Sequence, residues 1–271
     1  MFCCSRNKSN SLSSRVNMSL KNKVAIVTGG SSGIGAAIAV AFTAEGAKVA
    51  IVARNETKLA EVAKECEKNG AEPLVIVADV SKEDDAQKII ETTLKKFGKL
   101  DILVNNAGIA RSGSILDKDS LAKFDQVLAT NLRSVVYLTH LAAPHIIETK
   151  GNIINMSSVA AIGVFAPNTF IYNTSKAALD HFTRCIALEL APKGVRVNNI
   201  NPGPVKSDIV ANTGADPAMQ AMSWEMMKGK TALKRIGDPE EIADLAVFIA
   251  SDKGRSITGS SIVSDNGTLL Q

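Results

Sequence analysis

The chain has 271 residues, of which 45% are hydrophobic and 21% charged. This size and balance are typical of one soluble α/β domain with a substantial buried core. The net charge of +4 is too small and too scattered to favour a nucleic-acid partner. No apolar run reaches the roughly 18 residues of a membrane-spanning helix, so no membrane partner is predicted.

The first 17 residues differ in composition from the rest of the chain. They are rich in serine, carry Arg6, Lys8 and Arg15, and contain no acidic residue. A disordered tail ahead of Met18, itself a possible start, fits this composition, and so does a mitochondrial transit peptide. We expect the tail and hence a cytoplasmic protein, with a mitochondrial location as the alternative.

The cysteines and histidines do not predict a metal site. Four cysteines and three histidines are present, and no pair of them has the spacing of a zinc site or a redox motif. We therefore expect reduced thiols and no metal.

Strands and helices are predicted to alternate after residue 18. The predicted strands are Val24–Thr28, Lys48–Ala53, Pro73–Ala78, Asp101–Val104, Asn152–Met156, Val195–Ile200 and Ser261–Val263. The predicted helices begin after the glycine turn and end near Glu45, then cover Glu56–Lys68, Lys82–Phe97, Leu121–Ala143, Phe170–Ala191, an excursion at Asp208–Lys228, and Pro239–Ala250.

This alternation predicts a single Rossmann-type domain, residues 18–271, with a doubly wound parallel sheet of about seven strands and helices on both faces. Apolar runs such as Ala50–Val52 and Leu74–Val77 are continuous, which is typical of strands covered on both faces. A lid is expected at about 208–232. Ligands of such sheets bind beyond the carboxyl ends of the strands, so polar residues there are candidates for function.

The first strand leads into a glycine-rich turn, Thr28–Gly35, which opens an amphipathic helix. Strand, glycine turn and helix in this order form a phosphate-binding site, because the backbone can approach a pyrophosphate at the helix N-terminus.

The second strand ends without the acidic residue that would bind the ribose 2′-hydroxyl of NAD, and Arg54 stands next to that position. An arginine can pair with a 2′-phosphate, and the sequence places no carboxylate there to repel it. We therefore expect NADP(H) in preference to NAD(H). Asp79 ends the third strand, and Ser81 is the better helix cap by position, which leaves Asp79 for a ligand.

Tyr172 and Lys176 are one helical turn apart and project from the same face. A free tyrosine, with a pKa of about 10, is a poor acid–base group at neutral pH. An adjacent ammonium favours the phenolate, so the pair predicts an activated tyrosine.

These features together resemble the short-chain dehydrogenase/reductases over Leu20–Leu269. The resemblance is carried by Thr28–Gly35, Asp79-Val80, Asn105–Gly108, Asn131, Ser158, Tyr172, Lys176 and Pro202-Gly203. Within that family the chain looks most like the NADP-dependent 3-oxoacyl-[acyl-carrier-protein] reductase-like and carbonyl reductase-like members.

The resemblance implies the roles of four catalytic residues. Tyr172 would donate a proton to the substrate oxygen, Ser158 would hydrogen-bond the substrate carbonyl, and Lys176 would bind the nicotinamide ribose and lower the tyrosine pKa. Asn131 would anchor a water that relays protons to Lys176. Ser158 is preferred to Ser157 because it directly precedes the apolar pair Val159-Ala160, as in the family.

The predicted cofactor contacts join these motifs with the strand ends. They are Gly29, Ser31, Ser32, Gly33, Ile34, Gly35, Arg54, Asp79, Val80, Asn106, Ala107, Gly108, Tyr172, Lys176, Pro202, Gly203, Val205 and Ser207. Ser207 replaces the family's usual threonine and keeps a hydroxyl for the carboxamide. Asn266 replaces the middle residue of an Asp-Gly-Gly motif and tolerates a positive φ.

An apolar pocket is predicted beside the catalytic residues, lined by Val164, Phe165, Phe170, Met219, Met222 and Trp224. We expect an oxidoreductase that reduces a largely apolar ketone with NADPH: a 3-oxoacyl thioester, a dicarbonyl or a ketosteroid-like compound. An oxidative alcohol or hydroxysteroid dehydrogenase is one alternative, and a non-catalytic NADP-binding regulator is another. The family implies a homotetramer, with the helices Leu121–Ala143 and Phe170–Ala191 at a two-fold interface.

Overall fold

The computed structural model describes residues 19–209 and 216–271. In that part of the chain seven strands form one sheet. They are β1 (Val24–Thr28), β2 (Lys48–Ala53), β3 (Leu74–Val77), β4 (Ile102–Asn105), β5 (Asn152–Met156), β6 (Arg196–Pro202) and β7 (Ser261–Ser264).

The helices between the strands are α1 (Gly33–Ala44), α2 (Glu56–Asn69), α3 (Glu83–Phe97), α4 (Ser120–Leu128), α5 (Ser134–Thr149), α6 (Phe170–Leu190), α7 (Pro217–Gly229) and α8 (Pro239–Ala250). Five short π and 3₁₀ turns in the described part of the chain aside, this is the predicted alternation, and most bounds agree within two residues. The predicted tail, residues 1–17, lies outside the described residues, as does part of the predicted lid, residues 210–215.

The sheet is parallel throughout, in the order β3-β2-β1-β4-β5-β6-β7. The order reverses between β1 and β4, which is the point where doubly wound sheets bind their ligands. The predicted single Rossmann-type domain is therefore confirmed.

Helices cover both faces of the sheet, each over its own apolar core. Ala25 and Val27 of β1 pack with Phe42 of α1 and Leu59 of α2, on the face that α8 also covers. Val24 and Ile26 point the other way, into the core shared with α3, α5 and α6. This alternation explains why β1 is buried at every position.

The prediction of two-sided burial was wrong for β3. Val75 and Val77 remain 38% and 40% exposed, because β3 is an edge strand and one of its faces is covered only in part. A continuous apolar run does not distinguish an edge strand from a central one.

The predicted helix Leu121–Ala143 is interrupted. Between α4 and α5, residues Ala129–Arg133 form a π turn, and α5 then continues past Pro144 to Thr149. A proline usually ends a helix at the preceding residue, but here Ile146, two residues later, is fully buried in the core. The π turn places Asn131 in the interior of the protein, next to the candidate active site.

Candidate active site

A groove of about 1040 Å³ runs along the carboxyl ends of the strands. Sixteen of the eighteen predicted cofactor residues line it: Gly29, Ser31, Ser32, Ile34, Arg54, Asp79, Val80, Asn106, Ala107, Gly108, Tyr172, Lys176, Pro202, Gly203, Val205 and Ser207. The other two, Gly33 and Gly35, lie behind the lining and shape it. Parallel strands bring their ends to one edge, so residues far apart in sequence meet here.

The glycine turn has no space for side chains where its backbone packs most closely. A Cβ on Gly35 would lie 2.3 Å from the Gly29 carbonyl oxygen, and Gly29 itself has a φ of +66°. Asn106 braces the turn from β4, because its Nδ2 donates to the Thr28 carbonyl oxygen at 2.9 Å. The turn therefore leaves the N-terminus of α1 open to a pyrophosphate, as a dinucleotide requires.

The motif after β6 packs onto this turn and onto the end of the chain. A Cβ on Gly33 would lie 2.9 Å from the Cβ of Ser207, and one on Gly203 would lie 2.7 Å from the Cα of Asp265. Asn266 has a φ of 52°, so the substituted residue takes the left-handed conformation that was expected of it. The two departures from the family's motifs thus preserve the backbone shape of the site.

Asp79 is hydrogen-bonded within its own loop, and the prediction that Ser81 caps the following helix was wrong. Asp79 Oδ1 accepts from both the Ser81 amide, at 3.0 Å, and the Ser81 hydroxyl, at 2.7 Å. The N-cap of α3 is Lys82. Asp79 Oδ2 faces Arg54 Nη1 at 3.9 Å. A carboxylate therefore stands beside Arg54 after all, because β2 and β3 are neighbours in the sheet.

A carboxylate that the sequence analysis missed lies across the groove. Asp208 hydrogen-bonds Ser32 of the glycine turn, and its Oδ2 pairs with Lys58 Nζ of α2 at 2.5 Å. The bond to Lys58 holds the pKa of Asp208 below its usual value. Asp208 directly follows Ser207, the last residue of the predicted cofactor-binding motif after β6. This position could have identified Asp208 from the sequence as a residue of the groove.

Ser158, Tyr172 and Lys176 form one wall of the groove. Ser158 hydrogen-bonds the Tyr172 phenol, whereas the Ser157 hydroxyl is turned to the Lys176 carbonyl oxygen at 3.4 Å. The structure therefore places Ser158, the preferred serine, next to the tyrosine. Lys176 Nζ lies 5.6 Å from the centre of the Tyr172 ring and donates to the Met156 carbonyl oxygen at 2.8 Å.

The expected lowering of the tyrosine pKa is absent from this arrangement. Burial raises the pKa of Tyr172 to about 12, against a lowering by the Ser158 hydrogen bond. Burial also lowers the pKa of Lys176 to about 8, partly offset by the charge of Asp180. The reason is that Lys176 is buried and Tyr172 is partly shielded from water at the wall of the groove, and that the ammonium is directed at a carbonyl oxygen rather than at the phenol.

Asn131 is 1% exposed and does not line the groove. Its Oδ1 accepts from the Ile109 amide at 2.8 Å, and its Nδ2 donates to the Ile109 carbonyl at 2.9 Å and to Ser175 Oγ at 3.1 Å. The side chain thus braces the loop after β4 against α6. The water relay that the resemblance implies stays a prediction.

The predicted substrate residues divide into two groups. Phe165 and Trp224 line the groove, together with Met226 and Met227 of α7. The rest lie outside the lining: Val164, Met219 and Met222 are 80%, 55% and 70% exposed, and Phe170 stacks on Phe124 with ring centres 6.4 Å apart. For the residues of α7, helical periodicity explains the split, because one face of that helix is turned to the groove.

Within residues 19–209 and 216–271, no cluster of His, Cys, Asp and Glu side chains is arranged to hold a metal ion. No helix in the same ranges is long and apolar enough to cross a membrane.

Known proteins resemble this chain along almost all of its length. The family model described as enoyl-(acyl carrier protein) reductase matches residues 29–268. A 3-oxoacyl-[acyl-carrier-protein] reductase of Synechocystis is 37% identical over 254 residues, which cover 93% of this chain and 98% of the relative.

Solved structures agree with the fold. A short-chain dehydrogenase/reductase of unknown function from Caenorhabditis elegans, solved with cofactor, superposes with a TM-score of 0.87 at 37% identity, covering 93% of this chain and 96% of the other. The apo form of a glucose dehydrogenase from the same organism gives 0.79 at 40% identity, covering 93% and 99%. The chain therefore belongs to the short-chain dehydrogenase/reductase family of oxidoreductases, which use a nicotinamide cofactor.

Proposed function

We propose that the protein is an NADPH-dependent reductase of apolar ketones. The observation that carries the proposal is the wall formed by Ser158, Tyr172 and Lys176, set between a bare glycine turn and an apolar end of the same groove. Phe165, Trp224 and the methionines of α7 favour a substrate with a large apolar part.

The reduced nicotinamide, when bound along this groove, supplies the hydride. The protein's own residues act on the carbonyl oxygen, where negative charge develops as the carbonyl carbon is reduced. Ser158 and Tyr172 both present hydroxyls, and the tyrosine transfers its proton to that oxygen. Lys176, whose ammonium is 5.6 Å from the ring centre, stabilises the tyrosinate that remains. Asn131, through Ile109 and Ser175, keeps the loop after β4 and helix α6 in register.

The protonated form of the tyrosine fits the reductive direction. With a pKa of about 12, the phenol carries its proton at neutral pH and serves as an acid, as carbonyl reduction requires. Alcohol oxidation needs the phenolate, which burial disfavours. The same tyrosine would act as the base in the reverse reaction, so an oxidative alcohol or hydroxysteroid dehydrogenase stays the alternative. The glucose dehydrogenase likeness does not fit the apolar lining.

The preference for NADPH rests on cations at the adenosine end. Arg54 and Lys58 both line the groove there, and the 71% exposed Arg54 side chain can turn to a 2′-phosphate. A non-catalytic NADP-binding regulator is disfavoured because the proton-donating groups are all present.

We also propose a homotetramer with α4, α5 and α6 at a two-fold interface. Val136 of α5 and Leu188 of α6 leave apolar side chains 41% and 80% exposed, which an interface would cover. Size-exclusion chromatography with light scattering would test this. The cytoplasmic location, and the alternative of a cleaved tail at residues 1–17, stay predictions.

The test of the activity is NADPH oxidation against an acetoacetyl thioester, a dione, a ketosteroid and an aromatic aldehyde, with NADH in parallel. Tyr172→Phe should reduce kcat by roughly 10²–10⁴-fold and leave NADPH binding intact. Tyr137→Phe is the matched control, since its hydroxyl contacts only Gln87 on the surface among the described residues. An active Tyr172→Phe enzyme, or faster turnover with NADH, would contradict the proposal.

A further inference from the structure

We propose that Asp180 is a positioning residue of this site: one buried carboxylate that holds the Ser158 main chain through Asn201 and supplies the counter-charge of the Lys176 ammonium. The inference rests on the proposed roles of Ser158 and Lys176. It adds a residue that touches neither substrate nor cofactor.

Asp180 is the end point of a buried chain of hydrogen bonds that crosses the sheet. Asn105 Nδ2 donates to Asn155 Oδ1 at 2.8 Å, and Asn155 Nδ2 donates to Thr183 Oγ1 at 2.7 Å. Thr183 Oγ1 then donates to Asn199 Oδ1 at 2.6 Å, and Asn199 Nδ2 donates to Asp180 Oδ1 at 3.0 Å. Every donor in this chain points toward Asp180, so its last member has to be an acceptor.

A second group of donors reaches the other carboxylate oxygen. Asn201 Nδ2 donates to Asp180 Oδ2 at 2.8 Å, and Ser261 Oγ donates to the same oxygen at 3.3 Å. A carboxylate has no donor and can accept all three bonds, whereas an asparagine would turn an NH₂ group toward one set of donors. The residue type at position 180 is therefore dictated by its neighbours.

The same Asn201 amide connects Asp180 to the catalytic serine. Its Nδ2 also donates to the Ser158 carbonyl oxygen at 3.0 Å. Asn201 belongs to β6 and Ser158 to the loop after β5, so this amide fixes the peptide of Ser158 relative to both strands. Asp180 thus positions the main chain of Ser158 through Asn201, and with it the Ser158 hydroxyl that contacts Tyr172.

Asp180 also lies one helical turn after Lys176 on α6, and the two residues are 6% and 4% exposed. The other groups around the ammonium are neutral: the Met156 carbonyl oxygen of β5, the Tyr172 phenol, and Gly108, whose Cβ position would be 3.6 Å from Nζ. In the described part of the chain, Asp180 is the charged group that acts on Lys176, and it raises the pKa that burial lowers.

Without the Asp180 charge, the buried lysine would lose its proton at lower pH, and the tyrosinate would lose its stabilising cation there. Lys176 and Asp180 form no direct ion pair, and an opposite charge within about 4–6 Å shifts a pKa by about one unit or more. Thr183 is neutral and comes before Asn199 in the chain of hydrogen bonds that ends at Asp180. Removing its hydroxyl would break the chain and leave the charge in place.

The direct test is to titrate Lys176 by NMR in protein labelled with ¹³C and ¹⁵N lysine, with the signal assigned from Lys176→Met. Asp180→Asn should lower the midpoint of Lys176 by about one pH unit or more, whereas Thr183→Val, the matched control, should leave it unchanged. Asp180→Ser is prepared in parallel in case the asparagine variant does not fold, because water can occupy the space that serine frees. An unchanged midpoint in a folded neutral variant would overturn the inference.

Turnover separates this inference from the proposed function. In an active enzyme, the fall in kcat at alkaline pH should move to lower pH in Asp180→Asn and stay in place in Thr183→Val. A merely structural role for Asp180 would lower kcat at every pH without that shift. If the wild type reduces no carbonyl while the Lys176 midpoint still moves, the proposed function fails and the role of Asp180 as counter-charge remains.

Discussion

The charged groups at the two ends of the groove differ in how deeply they are buried. At the catalytic end, Lys176 and Asp180 are almost fully buried and their polar partners are protein atoms. At the adenosine end, Arg54, Lys58 and Asp208 are exposed. Arg54 is paired only loosely, and Lys58 pairs with Asp208 across the groove. Buried charges are set by the fold and respond to pH, whereas exposed charges are available to a ligand and respond to salt. Chemistry and cofactor choice should therefore be separable by mutation.

The largest effect is expected at the buried end, from Lys176→Met. The loss of the ammonium should lower kcat by roughly 10²–10³-fold, as for other groups that stabilise a developing charge. The fold should be affected less than kcat, because the change removes a desolvation cost on the order of 3 kcal/mol while it leaves the buried Asp180 without its counter-charge. Lys193→Met, the same substitution at an exposed position after α6, should change neither property.

The pH dependence of stability gives a second measurement on this pair. The folded pKa of Lys176 is about 8, below the unfolded value of about 10.4. The unfolded chain therefore binds more protons between these values, and the wild type should gain stability as the pH rises from about 8 to 10. Urea unfolding of the wild type and of Lys176→Met across this range would show the gain in the wild type alone. Equal slopes would contradict the buried ammonium.

An intermediate effect is expected from Arg54→Leu at the exposed end. If the guanidinium binds a 2′-phosphate, its loss should weaken NADPH about 10-fold or more, in line with a charge-assisted hydrogen bond. Binding of NADH and kcat at saturating cofactor should stay close to wild type. Fluorescence titration with both cofactors measures this, and an equal loss for NADH would assign Arg54 a structural role.

The smallest effect is expected from Asp208→Asn. The variant removes a negative charge beside the glycine turn and frees Lys58, so NADPH should bind a few-fold more tightly at low salt. The gain should shrink at about 1 M salt, where the Debye length is about 3 Å. Glu65→Gln, which breaks an exposed ion pair with Lys68 on the same helix α2, is the control. Tighter binding in both variants would indicate net charge rather than this bridge.

Much of the fold was predictable from the chain because its signals are local. The bounds of β1, β2, β5 and α8 agree with those predicted from apolar runs and from Pro239 at a helix start. The glycine turn and the spacing of Tyr172 and Lys176 likewise depend on contiguous residues. These patterns need no knowledge of distant partners.

The features that were missed all depend on such partners. The Arg54–Asp79 contact requires that β2 and β3 be neighbours, and the bridge from Asp208 to Lys58 joins segments 150 positions apart. The partition of the methionines of α7 between solvent and groove depends on how that helix packs. Periodicity shows that a helix has faces but does not show what each face meets.

By itself, the sequence determined the parallel α/β architecture, the place of the dinucleotide groove and the order of the catalytic residues, because short-range periodicity and turn chemistry encode them. Only the tertiary structure decided the electrostatics: which carboxylate faces which cation, how Asp180 gathers the donors of β6, and that burial raises the pKa of Tyr172 while lowering that of Lys176. The physical reason is that a pKa is set by desolvation and by neighbouring charges in space, which folding alone brings together.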